Sequence, residues 1–266
     1  MSDALEAGGR AAAVNAAARP VRIGGGVVVR PAGRASGTVQ AYLRFLRRQG
    51  LECVPEPLEL GDDVESLRFI PGASGGEGWY HQHGDDGLAS AARLLRKVHD
   101  VGREWEPPGD AVWGAEPEVV ADDVVYCHGD PGPWNFVLED NRAVGLIDWD
   151  YLHPGSRIGD IAYALRWFVP LRSDEMALEW HHFPEVPDRR HRVEVFLEAY
   201  GEVPQFDVAE AVVARMQATS DLMEELARGG QEPQRTWVLD GALEREREEI
   251  EWVRRNRDLF AAPSGS

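Results

Sequence analysis

"VVYCHGDPGPWNFVLEDNRAVGLIDWD", residues 124–150, holds a His-Gly-Asp, an Asn five residues after that Asp, and a second Asp that closes an apolar run. Short β segments near 124–126, 136–139 and 143–148 surround the turn signal Asp140-Asn141, which reads as a hairpin. Such a hairpin brings Asn135 and Asp148 together. Their oxygens are hard ligands suited to Mg²⁺, an ion that takes one or two protein carboxylates and fills its other positions with phosphate oxygens and water. Asp130, ahead of both, can accept a proton from an attacking hydroxyl.

Upstream of this stretch the chain is strand-rich. "VRIGGGVVVRPAG" (21–33) reads as two β segments around a Gly turn, and Pro31 stops the ladder. "SGTVQAYLRFLRRQG" (36–50) has Val39, Tyr42, Leu43 and Leu46 at helical spacing, with Ser36 or Thr38 as a cap and Gly50 as the end. "EPLEL" and "ESLRFI" flank Gly61-Asp62-Asp63 as a hairpin. "IPGASGGEG" (70–78) places Pro and four Gly just after a strand, which predicts a hinge between a small lobe (1–72) and a larger one (73–266). Beyond it helical patterns dominate, at 86–102 and at about 158–169, 189–200, 207–228 and 236–258.

The 266 residues suffice for one large domain or two lobes sharing a core, and 43% hydrophobic content with nine Trp predicts a packed globular chain. No run approaches the roughly 18 apolar residues of a membrane span, and the small-residue-rich N-terminus lacks the apolar core of a signal peptide. Cys53 and Cys127 are far apart and match no metal spacing, so they read as reduced, buried thiols of a cytoplasmic protein. A net charge of -18 argues against nucleic acid as a partner. Residues 1–50 carry eight Arg against Asp3 and Glu6, so +6 there leaves -24 for the remainder. That asymmetry suits a basic part facing an anion and an acidic part facing water or a cation. His81, His83, His181 and His182 suggest a metal only superficially; surface loop histidines are the simpler reading.

"HGDPGPWN" has the Asp-x-x-x-x-Asn spacing of a kinase catalytic loop, and "GLIDWD" is an apolar strand ending in Asp, like the segment that delivers a kinase's metal-binding Asp. With "HPGSRIGDIAYAL" following, the stretch resembles the signature of the aminoglycoside phosphotransferase family, small-molecule kinases with a protein-kinase-like two-lobed fold, related to choline kinases. "FIPG" (69–72) and "LLRKVH" (94–99) resemble the family as well.

The resemblance implies an α+β fold, with a small, mainly β N-lobe carrying one helix and a larger, mainly α C-lobe. It implies Mg²⁺-dependent transfer of the γ-phosphate of ATP (or GTP) to a small-molecule hydroxyl, an aminoglycoside or another natural product or antibiotic being the expected acceptor. Asp130 would be the catalytic base, Asn135 and Asp148 the Mg²⁺ ligands, His128 a structural residue of the loop, and Asp160 a support from the next helix. The first hinge-side contacts to nucleotide would come from the backbone of Arg68 and Ile70, with Leu67 beside the base.

The chain departs from the family pattern at the strand lysine and its helix glutamate. The only lysine, Lys97, falls in the second lobe, so the strand position holds Arg30 and the helix position Gln40. One reading keeps Arg30 on phosphate, with Gln40 accepting a hydrogen bond from it. The rival is a non-catalytic, pseudokinase-like binding protein. Gly8-Gly9 is the candidate phosphate loop. Trp134 reads as core packing or as an acceptor contact. Glu194, Glu198, Asp221, Glu224 and Glu225 are candidates for an acidic wall drawing a cationic acceptor.

Overall fold

The computed structural model describes residues 21–118 and 123–260; the Gly8-Gly9 candidate lies outside them. β1 (Arg22–Gly24) and β2 (Val27–Pro31) form the first hairpin across Gly25-Gly26, and β3 (Pro57–Leu60) and β4 (Val64–Arg68) form the second. The four make one antiparallel sheet in the order β1-β2-β4-β3. Its register opposes Val28 to Leu67 and Arg30 to Glu65. Directly opposed residues share a face, so these four side chains lie together on one side of the sheet.

Helix α1 (Ser36–Arg48) buries the predicted stripe of Val39, Tyr42, Leu43 and Leu46. Its capping differs from expectation. Ser36 accepts from the Gly33 amide and Thr38 from the Val112 amide, both outside the helix, so neither closes its first turn. The Pro- and Gly-rich segment 70–78 is pinned to the following hairpin. Ala73 and Leu138 exchange backbone hydrogen bonds at 2.8 Å each way, and the Gly75 amide donates to the Trp134 carbonyl at 2.8 Å.

Beyond it come α2 (Asp85–Gly102), β5 (Val124–Cys127), β6 (Phe136–Glu139) and β7 (Arg142–Leu146). Asp140 and Asn141 both have positive φ, as a two-residue hairpin turn requires. β8 (His153–Ser156) pairs with β5 and was not anticipated, because "HPGS" has almost no strand propensity. The pairing, not the residue types, makes it a strand.

Ser156 caps α3 (Arg157–Phe168), and α4 (Asp174–Glu179) is too short to show a period in sequence. α5 (Arg189–Tyr200) and α6 (Val208–Arg228) match the expected spans and start at capping aspartates, Asp188 and Asp207. The single helix expected over 236–258 is two, α7 (Gln234–Leu239) and α8 (Ala242–Arg255), because the chain turns left-handed at Gly241. No described helix is long and apolar enough to cross a membrane.

One apolar core runs from Leu43 and Leu46 through Leu95, Phe136 and Phe168 to Phe196 and Phe260. Tyr42 sits inside it, 4.9 Å from Trp105 and 5.6 Å from Trp149 between ring centres. This core couples α1 to α2 closely: a Cβ on Gly102 would lie 2.1 Å from the Tyr42 hydroxyl. Gly102→Ala is therefore expected to cost about 1–3 kcal/mol by overpacking. Urea unfolding checks this, and an unchanged midpoint would show that Tyr42 yields freely.

Candidate active site

The segment between β5 and β6 folds tightly over itself. Gly129 has φ +84°, and a Cβ there would meet the Tyr151 carbonyl oxygen at 2.6 Å, so glycine is required between His128 and Asp130. His128 is fully buried and spends both ring nitrogens on backbone. Nε2 lies 2.8 Å from the Ile147 carbonyl, and Nδ1 accepts from the Asp130 amide at 3.2 Å. That pattern defines the neutral Nε2–H tautomer, in keeping with burial lowering the pKa. The imidazole thus ties the loop to the end of β7, and Trp149 covers it at 4.6 Å.

Asp130 Oδ2 accepts from Asn135 Nδ2 at 2.9 Å and from the Trp134 indole N–H at 3.3 Å. Asn135 also donates to the Asp130 carbonyl at 2.9 Å, so its amide nitrogen faces Asp130. Oδ1 of Asp130 is closed off from solvent without a donor of good geometry among the described residues. Burial outweighs the hydrogen bonds from Tyr163, Trp134 and Asn135, and with Asp148 nearby the carboxyl is pushed up to about 7.

Asp160, at the start of α3, anchors the loop. Its Oδ2 accepts from the His128 amide at 2.6 Å and its Oδ1 from the Gly129 amide at 2.9 Å. From α2, His99 Nε2 meets Oδ2 at 3.1 Å, while its Nδ1 lies 2.6 Å from the Tyr200 hydroxyl of α5. Burial alone would raise this carboxyl, but the hydrogen bonds from His99 and the Gly129 amide, among others, overcome it and hold it well below the usual carboxylate range.

Asp148 follows β7 with φ +63°, a left-handed conformation that Asp tolerates. Arg30 of β2 reaches across to it. Its Nη1 donates to Asp148 Oδ1 and its Nη2 to Asp150 Oδ1, each at 2.8 Å. Its Nε donates to Glu65 Oε1 at 2.9 Å. The expected Arg30–Gln40 hydrogen bond is absent. Gln40 instead donates to Glu65 Oε2 at 3.0 Å and accepts from Arg44 at 2.8 Å.

Glu65, 1% exposed, is therefore the arginine's carboxylate partner, supplied by the neighbouring strand rather than the helix. The physical reason is reach: a guanidinium directly opposite Glu65 across β2–β4 finds a carboxylate there before any helix side chain. A sequence signal existed, since alternation places Glu65 in phase with the inward Leu67. Asp148 and Asp150 thus already hold a cation, the Arg30 guanidinium. Among the described residues no cluster of three or more His, Cys, Asp or Glu forms a metal cage.

The nucleotide-side expectations fare unevenly. Leu67 lies opposite Val28 on the Arg30 face of the sheet, and the Ile70 side chain packs over Gly145. The Arg68 amide is spent on the Glu56 carbonyl at 2.8 Å, which removes that N–H from the expected base contact. The acidic candidates Glu194, Glu198, Asp221, Glu224 and Glu225 are all exposed, on α5 and α6. His181 is fully buried rather than a surface residue, because Trp79, Trp167 and Trp180 enclose it.

Three further residues at the loop escaped sequence reasoning. Tyr163 stands one helical turn after Asp160, and its hydroxyl near Asp130 acts to lower that carboxyl. Arg215 of α6 donates to the Gly129 carbonyl and lies over the Tyr163 ring at 5.0 Å. Trp79 packs 5.3 Å from Trp134. Only the spacing of Tyr163 from Asp160 carried a signal; the others come from distant elements.

A β-sheet with one helix, a pinned connecting segment and a helical part bearing this loop define a protein-kinase-like phosphotransferase fold. A family model described as "Phosphotransferase enzyme family" matches residues 109–196. The trifolitoxin immunity protein of Rhizobium leguminosarum bv. trifolii is 31% identical over 188 residues, spanning 66% of this chain and 68% of the relative. The chain belongs to this phosphotransferase family. Among solved structures, a choline/ethanolamine kinase family protein from Mesorhizobium loti superposes with a TM-score of 0.57 at 16% identity, covering 96% of this chain and 97% of that one. A spectinomycin phosphotransferase in complex with ADP and spectinomycin gives 0.54 at 12% identity, covering 88% and 86%.

Asp160→Asn presents an amide to two backbone donors and is expected to destabilise the fold by about 3 kcal/mol at pH 7. Because the folded carboxyl lies below its unfolded value, its contribution is full above about pH 4 and fades as pH falls through and below that range. The gap between wild type and variant should therefore narrow from pH 7 to pH 3 in urea titrations. A gap independent of pH would contradict this account.

Proposed function

We propose that this chain transfers the γ-phosphate of ATP or GTP, with Mg²⁺, to a hydroxyl of a small molecule. One observation carries the reading: Asp130 presents a buried carboxylate oxygen without a good donor, at the loop that also orients Asn135 and faces Asp148. An acceptor hydroxyl would donate to that oxygen. Its own oxygen then attacks the γ-phosphorus in line, the bond to the bridging β–γ oxygen breaks, and the hydroxyl proton passes to Asp130. A carboxyl raised to about 7 is suited to take a proton near neutral pH.

Asn135, Trp134 and Tyr163 would hold Asp130 in place, and Asp160 and His128 would fix the loop that carries it. Asn135 and Asp148 would bind Mg²⁺, which when bound neutralises phosphate charge. Arg30, oriented by Glu65, would contact the phosphates bidentately. Leu67 and Ile70 would sit on the nucleotide side, between lobes that meet at residues 70–78. The relative named as a trifolitoxin immunity protein supports a protective role, which in this chain would be phosphorylation of a toxic natural product; the cytoplasm would be its place.

A second reading, a non-catalytic binding protein, draws on Arg30 bridging Asp148 and Asp150 across the cleft. The two separate at the bench. Asp130→Asn is expected to lower kcat by about 10²-fold or more while nucleotide affinity changes little. Acceptor-independent nucleotide binding with no turnover in wild type would favour the second reading.

Glu65→Gln is expected to raise the KM for nucleotide by about tenfold, since Arg30 loses a charged hydrogen bond worth about 1.5 kcal/mol. An equal loss from Gln40→Ala alone would return the pairing role to the helix.

A further inference from the structure

Beside Asp130 the surface is aromatic. Trp134, whose N–H donates to Asp130, packs 5.0 Å from Trp167 and 5.3 Å from Trp79; Trp180 lies 5.8 Å from Trp79 and 6.3 Å from Trp167. Each of these four indoles keeps part of its surface in solvent, so they do not form a closed core. The Trp167 N–H is itself buried without a hydrogen-bond partner among the described residues. Contiguous, partly exposed aromatic surface next to reactive groups marks a ligand contact.

Charge decides what kind of ligand. Arg166 and Arg172 stand over the Trp167 ring at 4.5 and 4.6 Å, and Arg172 also over Trp180 at 5.4 Å. The cation-attracting faces of these rings are thus already engaged from within. Of the carboxylates near these rings, Glu246 and Glu249 are consumed by the same arginines at 2.6–2.7 Å, and Asp130 accepts from the Trp134 indole and Asn135. Arg215 adds a further positive charge beside Gly129, and no described carboxylate lies within ion-pair distance of it. The acidic residues expected to draw a polycation are exposed along α5 and α6.

We propose that the indoles of Trp79, Trp134, Trp167 and Trp180 form an acceptor subsite for a planar aromatic or heteroaromatic alcohol without cationic groups, and that polycationic acceptors are excluded. The inference rests on the kinase reading for the word acceptor, but the binding it specifies needs neither nucleotide nor Mg²⁺. Planar rings stack on the faces of Trp79 and Trp134, over which no described guanidinium stands, while an ammonium would sit beside the positive charge of Arg215.

Isothermal titration calorimetry on the full chain tests this, with 2-naphthalenemethanol as the planar alcohol and kanamycin as the polycation. Naphthalenemethanol should bind saturably, Trp180→Ala should weaken it about tenfold, and Trp180→Phe should retain most of the affinity. Kanamycin should give no saturable heat. Trp79→Ala, with circular dichroism on both variants, separates a lost subsite from a lost fold. Saturable kanamycin binding, no naphthalenemethanol binding, or binding that folded Trp180→Ala and Trp79→Ala both leave unchanged would each overturn the assignment. Naphthalenemethanol binding as expected, with no triphosphate turnover on any acceptor, would sink the phosphotransfer reading alone.

Discussion

A single buried carboxylate, Asp160, carries the geometry of the candidate active site. It closes two backbone amides of the His128–Gly129 turn and is itself fixed by His99, which leans on Tyr200. Four parts of the chain that are far apart in sequence therefore converge on one side chain. Burial would favour protonation, which would make two of its acceptor bonds poor; the donors around it keep it ionised instead. With the turn so held, Asp130 has little choice of direction, and Asn135 and Trp134 are left to trim its orientation.

The second constraint is the bridge made by Arg30. A guanidinium can serve three acceptors at once in a fixed fork, and here it serves Glu65, Asp148 and Asp150. A lysine in the same place would be a single point charge, so the replacement is more than a swap of one cation for another. It also explains why the helix does not supply the carboxylate. Glu65 sits directly opposite Arg30 in the sheet, and Gln40 is free to hold Glu65 from behind. The arginine's charged pairing is a strand–strand contact rather than the strand–helix one that the resemblance implied, which ties its geometry to the sheet register rather than to the position of α1.

Sequence alone exposed the candidate reacting groups unevenly. Asp130, Asn135 and Asp148 were legible because their chemistry is compressed into 19 residues, where a hairpin is the only local solution. Glu65 was visible only as an acidic residue in the inward phase of a strand. Arg215 and Trp79 were not legible at all, since nothing in α6 or in the segment before α2 announces that it will reach Gly129 or Trp134. Net charge did not identify the acceptor: a large negative total bears on solubility, and the indoles and guanidiniums that gather near the loop leave no mark on it.

What the sequence determined by itself was local: the two hairpins of the sheet, the amphipathic stripe of α1, the longer helices, and the order of the loop residues, all of which follow from spacing, capping and turn chemistry within a few residues. What tertiary structure decided was pairing across distance. β8 became a strand because β5 lies beside it, the segment 70–78 became a pinned connection because Leu138 meets Ala73, and Arg30 found Glu65 in place of Gln40. In each case the deciding energy is a hydrogen bond or ion pair between residues whose separation in sequence carries no information about their separation in space.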